Sequence, residues 1–91
     1  MKYEISFTSQ FKKDLKLARK QGKDETKLWE IVEKLAEGKP LEAKNKDHFL
    51  TGNYSKYREC HVDPDWLLIY RQENDVLVLL LYRLGSHSDL F

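Results

Sequence analysis

Residues 76–83, Val-Leu-Val-Leu-Leu-Leu-Tyr-Arg, are apolar on both faces of an extended chain. Such a segment needs cover on both sides and a paired neighbour, so it predicts a central strand. Glu73-Asn74-Asp75 makes a turn before it, and Gly85-Ser86 breaks it. The other elements must be arranged around this strand. With 91 residues, the chain is expected to form one domain, residues 1–91, that buries roughly 60–65% of its unfolded surface.

The order of those elements follows from periodicity. Tyr3, Ile5 and Phe7 alternate with polar residues, which predicts a half-buried strand. Thr8 or Ser9 caps a helix in which Phe11, Leu15 and Ala18 form an apolar stripe, widened by Leu17. Gly22 ends that helix as a left-handed cap. Asp24 starts a second helix, with Leu28, Ile31, Val32 and Leu35 buried, and Gly38 with Pro40 ends it. Trp29 lies off this stripe and caps the core's edge. The short link predicts an antiparallel helix pair. Residues 39–53 read as a loop, long for a compact domain and hence of functional interest. Tyr54 to Val62 and Trp66 to Tyr70 predict two more strands, joined by a bend at Asp63-Pro64-Asp65. Ser86 and Asp89 have capping-box spacing for one last helical turn, on which His87 and Phe91 share a face. The expected fold is α+β: a two-helix hairpin on one face of a mainly antiparallel four-stranded sheet, in the order β-α-α-β-β-β, with the other face open.

Charge and composition narrow the class. The chain is 41% hydrophobic and 34% charged, with net charge +1. Residues 1–22 carry a balance of +4 and residues 39–58 one of +3, offset by acidic segments. Those basic segments would line a groove for a polyanion only if they folded together. No apolar run reaches about 18 residues, so no membrane span is expected. The start, Met1-Lys2-Tyr3-Glu4, has no apolar signal region. One cysteine, Cys60, reads as a small core residue in a reducing cytoplasm.

Chemistry gathers around the bend between the second and third strands. All three histidines, His48, His61 and His87, lie near turns or element ends, where a scaffold presents reactive groups. Imidazole moves protons in both directions near neutrality. Neither H-x-x-x-H nor C-x-x-C spacing occurs, and adjacent Cys60 and His61 point to opposite strand faces, so neither a metal nor another cofactor is expected. Three imidazoles with Asp65, Arg83 and exposed aromatics suit metal-independent RNA cleavage by the substrate's own 2′-hydroxyl. That reaction needs a base, an acid for the leaving oxygen and a cation for the phosphorane. Phe91 and Trp66 suit an unstacked base, although the residues alone favour Trp66 slightly as a core tryptophan at a strand start.

Three segments carry a resemblance: Lys46-Asp47-His48-x-Leu50-x-Gly52; Tyr57-Arg58-x-x-His61-Val62-x-Pro64-Asp65-Trp66-x-Leu68-Ile69-Tyr70; and Arg83-x-Gly85-x-His87-x-x-Leu90-Phe91. Together they resemble the YafQ branch of the RelE/ParE toxin superfamily, nearly end to end. The resemblance implies a RelE-like fold and a bacterial type II toxin that cleaves mRNA on the 70S ribosome. It also implies a cognate antitoxin that blocks the toxin and represses their operon, so that operator DNA is met only through the complex. Carried over by position, the functional residues are His48, His61, Asp65, Trp66, His87 and Phe91, with Arg83 on the phosphate. Lys46 and Arg58, within the same motifs, are expected to contact substrate. His87 is assigned as acid and His48 or Asp65 as base, with His61 positioning substrate or tuning the other groups. Two other readings share the fold: a ParE-like toxin acting on DNA gyrase, and a non-catalytic partner of the antitoxin in repression. The ribonuclease reading requires the imidazoles to converge in one pocket beside the Trp66 indole and the Arg83 guanidinium.

Overall fold

The computed structural model describes residues 2–91. Strand β1 (Glu4–Phe7) leads into helices α1 (Ser9–Lys20) and α2 (Glu25–Ala36). Strands β2 (His48–Phe49), β3 (Arg58–Asp63), β4 (Trp66–Glu73) and β5 (Val78–Gly85) follow, and helix α3 (His87–Leu90) closes the chain. Thr8 caps α1 by accepting from Phe11 N, and Asp24 caps α2 by accepting from Thr26 N. Gly22 and Gly38 take the left-handed conformation after each helix, with φ of +73° and +74°, which a side chain would oppose.

The sheet has five strands in the order β1-β5-β4-β3-β2, against the four expected. The addition is β2, two residues inside the expected loop that pair His48 with Glu59 and Phe49 with Arg58. Two residues are too short to show periodicity in sequence. The same loop also holds single 3₁₀ turns at Ala43–Asn45 and Gly52–Tyr54. All pairings are antiparallel except β1 with β5, which is parallel. Thus β5 is interior, as its apolar sequence requires, and β4 lies at the centre.

Both helices cover one sheet face. Phe11, Leu28, Val32 and Leu35 from the helices pack with Cys60, Leu68, Tyr70, Leu79 and Leu81 from the sheet. Trp29 packs at the edge of this core. A bulge opposite Ile69 and Tyr70 leaves Tyr82 as the extra residue of β5. Such a bulge re-aims the strand, so Leu84 is buried although Leu79 and Leu81 precede it by odd steps.

Leu77, at the β4–β5 turn, has φ of +52° and an exposed side chain. A branched residue is strained there. Leu77→Gly is therefore expected to stabilise the fold by about 0.5–1 kcal/mol, read as a higher urea midpoint. A lower midpoint contradicts this account of the turn.

Cys60 is fully buried in β3, and burial, aided by the Asp47 and Glu59 carboxylates, pushes its thiol above the ordinary range. The folded chain keeps the thiol neutral where the unfolded chain ionises it. Its contribution to stability is therefore complete below about pH 8.5 and is lost as pH rises beyond that value. Urea midpoints between about pH 8.5 and pH 10 should fall less steeply in Cys60→Ala than in the native chain. Equal slopes contradict the assignment.

Candidate functional site

Alternation along β3 sends Cys60 and Val62 into the core and turns Glu59 and His61 to the opposite face. Pairing with β2 brings His48 beside Glu59. The result is a cluster around one carboxylate oxygen: Glu59 Oε1 lies 3.6 Å from His48 Nε2 and 3.8 Å from His61 Nε2. Glu59 is buried, whereas His48 is half exposed and His61 partly so.

Backbone carbonyls orient both rings. His48 Nδ1 lies 2.5 Å from Lys46 O, and His61 Nδ1 lies 3.2 Å from Pro64 O. Lys46 has φ of +47°, which turns the chain between the 3₁₀ helix and β2. With Nδ1–H donated to a carbonyl, Nε2 of each ring is the nitrogen left for proton transfer. Asn45, itself buried, donates to His61 O at 2.8 Å and ties this loop to β3.

His87 approaches from the far side of β4, at the same end of the sheet as His61. Its backbone N–H donates to Asp65 Oδ1 at 3.3 Å, which fastens α3 to the β3–β4 turn. The capping box between Ser86 and Asp89 forms as the sequence predicts. Gly85 makes this closure possible, because a Cβ there would stand 3.3 Å from Asp89 Cβ and Leu90 Cδ2. His61 pairs with Leu67, and Leu67 with Gly85. Two strand spacings therefore separate His61 from the residue that starts the His87 turn, about 10 Å.

Aromatic rings continue from His87 across this face. His87 and Phe91 stand 5.2 Å apart, Phe91 and Tyr54 6.4 Å, Tyr54 and Tyr57 6.4 Å, and Tyr57 and Tyr82 4.4 Å. The three tyrosines were not among the expected site residues. Tyr54 and Tyr57 lie in the turns before β3 and Tyr82 at a bulge, positions that no simple alternation marks.

Three expected site residues face other surroundings. Trp66 is 1% exposed and shares its strand parity with Leu68 and Tyr70, so its indole belongs to the helix-side core and presents no surface to a base. Arg58 likewise alternates away from His61. Its Nε and Nη2 bind Asp47 at 3.1 and 3.0 Å, Nε also meets Tyr70 Oη, and the guanidinium lies over Phe49. Arg83 donates from Nε and Nη2 to Asp14 of α1, at 2.8 and 3.3 Å, and Asp14 also accepts from Leu84 N. Hydrogen bonds to these carboxylates raise both guanidinium pKa values and keep the groups charged. The expected single pocket is thus divided: His48 and His61 meet, His87 lies across β4 with Phe91, the indole lies beneath the sheet, and Arg83 is held from α1. Lys46 is exposed beside the His48–His61 cluster.

Residues 3–91 match a family model described as a bacterial toxin of type II toxin–antitoxin systems, YafQ. The mRNA interferase toxin YafQ of Escherichia coli K12 is 42% identical over 89 residues, covering 97% of this chain and 95% of the relative. The crystal structure of YafQ from E. coli BL21(DE3) superposes with a TM-score of 0.91 at 40% identity, covering 98% of each chain. A chain of the E. coli DinJ–YafQ toxin–antitoxin complex gives a TM-score of 0.89 at 40% identity, over 100% of this chain and 99% of that one.

Removing Arg58 leaves Asp47 and the Tyr70 hydroxyl without their cation. Arg58→Ala should lower unfolding free energy by about 1–3 kcal/mol in urea titration. A loss under about 0.5 kcal/mol would return Arg58 to the surface-residue class.

Proposed function

The chain belongs to the YafQ family of bacterial toxins from type II toxin–antitoxin systems, and on that premise we propose that it is an mRNA interferase. In this reading it is an endoribonuclease that cuts translated mRNA on the ribosome, inhibits translation, and is neutralised by a cognate antitoxin. Operator DNA is met through the antitoxin complex. The observation that carries the reading is that the imidazoles share the sheet face away from the helices, although the single pocket with the Trp66 indole and the Arg83 guanidinium that the sequence reading requires is not formed. Two present Nε2 around Glu59, and the third lies beyond β4 on the α3 turn.

Each group then takes a part in the reaction. A 2′-hydroxyl attacks the adjacent phosphorus as its proton leaves to a base, and the 5′-oxygen departs as it receives a proton from an acid. His48 suits the base: its side chain is half exposed, and the Lys46 carbonyl takes up Nδ1–H, leaving Nε2 for the 2′-hydroxyl proton. His87 suits the acid, exposed on a turn anchored by Asp65. Asp65 then acts by holding the backbone of His87. His61 orients the substrate beside Glu59, and Lys46 adds positive charge next to the base. Arg83, held by Asp14 of α1, contributes positive field at the β5 end rather than a contact to the reacting phosphate. Phe91, 52% exposed and stacked near His87, holds a base beside the reacting phosphate.

Mapping mRNA 5′ ends on translating ribosomes, with and without the protein, tests this reading. New ends within translated messages are expected. His87→Gln should lower the single-turnover cleavage rate by roughly 10²–10⁴-fold, with the melting temperature unchanged. Cleavage by His87→Gln within about threefold of wild type, well short of that loss, would overturn the acid assignment. Absence of new ends with the native chain would overturn the ribonuclease reading.

A further inference from the structure

The ring row on the open sheet face extends well past the groups that move protons. Leu67 and Ile69, whose side chains alternate away from the helices, are nevertheless only 1% and 2% exposed. They lie outside the helix-side core cluster, so this face carries its own cover. Tyr57 and Tyr82, a tilted pair at 4.4 Å, belong to that cover, while Tyr54 stays 41% exposed and meets both Tyr57 and Phe91 edge-on. Cover alone needs no unbroken chain of aromatic rings leading from His87.

We infer that Tyr54, Tyr57 and Tyr82 form a track for unstacked bases of single-stranded RNA, continuing from Phe91 away from the scissile phosphate. The inference rests on the ribonuclease reading and extends its substrate contacts by at least one base. Two features favour RNA as the occupant. The track runs directly from the Phe91 and His87 rings, so a strand held at His87 meets it next. A cation also stands beside it: the Arg71 guanidinium lies 5.4 Å from the Tyr57 ring centroid. Arg71 pairs through Nη2 with Glu73, and exposed Lys56 precedes Tyr57 in the chain. Aromatic faces stack on any base, so the track adds affinity with little sequence preference.

The test uses ribosomes programmed with a message blocked by 2′-O-methyl at the mapped cut and carrying 2-aminopurine beside it. The native chain should quench 2-aminopurine fluorescence by stacking. Tyr54→Leu and Tyr57→Leu, which retain apolar cover, should lose the quench and raise the half-saturating concentration roughly 5- to 100-fold. Tyr57→Phe should behave as the native chain. On unblocked message the Leu variants should keep the maximal cleavage rate within about threefold, since the lost contacts bind substrate before and after the chemical step. Tyr54→Leu removes the more exposed ring and preserves the test if Tyr57→Leu fails to fold.

Native quenching by both Leu variants overturns the track, as does the absence of any quench with the native chain. Leu variants that keep the quench but lose antitoxin affinity assign the face to the protein partner and overturn it equally. Failure of the native chain to cut unblocked message defeats the ribonuclease reading instead, so the two failures are distinguishable.

Discussion

Strand β4 is sealed on both faces, and the molecule is built around that requirement. Trp66, Leu68 and Tyr70 point to the helices, and Leu67 and Ile69 point the other way, yet all five are almost fully buried. Each such side chain contributes about 1.5–3 kcal/mol when removed from water. The helices satisfy one side. The other side lacks a third layer of secondary structure, and an aromatic row from Tyr54, Tyr57, Tyr82 and Phe91 lies there instead. A sheet face whose outermost rings, Tyr54 and Phe91, stay 41% and 52% exposed is both stable and available to a ligand.

The same alternation distributes the charges. Along β3 it places Arg58 with Tyr70 on one side and Glu59 with His61 on the other. Arg58 and Arg83 are each held by an acidic partner, Asp47 and Asp14, and those ion pairs fasten the β2 loop and α1 to the sheet. Glu59 has no such arginine. Its buried carboxylate faces two imidazoles, at 3.6 and 3.8 Å. An incompletely paired buried carboxylate is costly in a core and useful beside groups that exchange protons.

Much of this was legible in the residues, for physical reasons. Helix stripes, the caps at Thr8, Asp24 and Ser86, and the left-handed Gly22 follow from local rules and appear in the structure, except that Leu17, expected to widen the α1 stripe, is 49% exposed. The doubly apolar run ending at Arg83 identified the interior strand β5. Strand β2 escaped because His48 and Phe49 gain their pairing from β3, a distant partner, rather than from any local pattern. The resemblance places Trp66 at the ligand, whereas the residues alone favour a core tryptophan at a strand start, which is where the structure has it. Counting parity with Leu68 and Tyr70 would have sent it into the core. The aromatic row needed coordinates, since a turn, a bulge and the chain's last residue supply its members from three separate segments.

The central claim is that RNA lies on the sheet face opposite the helices, across β4. The most direct measurement is NMR titration of the antitoxin-free protein with a non-cleavable 2′-O-methyl RNA, following ring signals of the histidines and tyrosines together with the Trp66 indole and the α1 lysines. The account predicts concerted shifts at His48, His61, His87, Tyr54 and Phe91, with Trp66, Lys12 and Lys16 unmoved. Shifts confined to the lysine-rich surface of α1, with all three imidazoles silent, would contradict it.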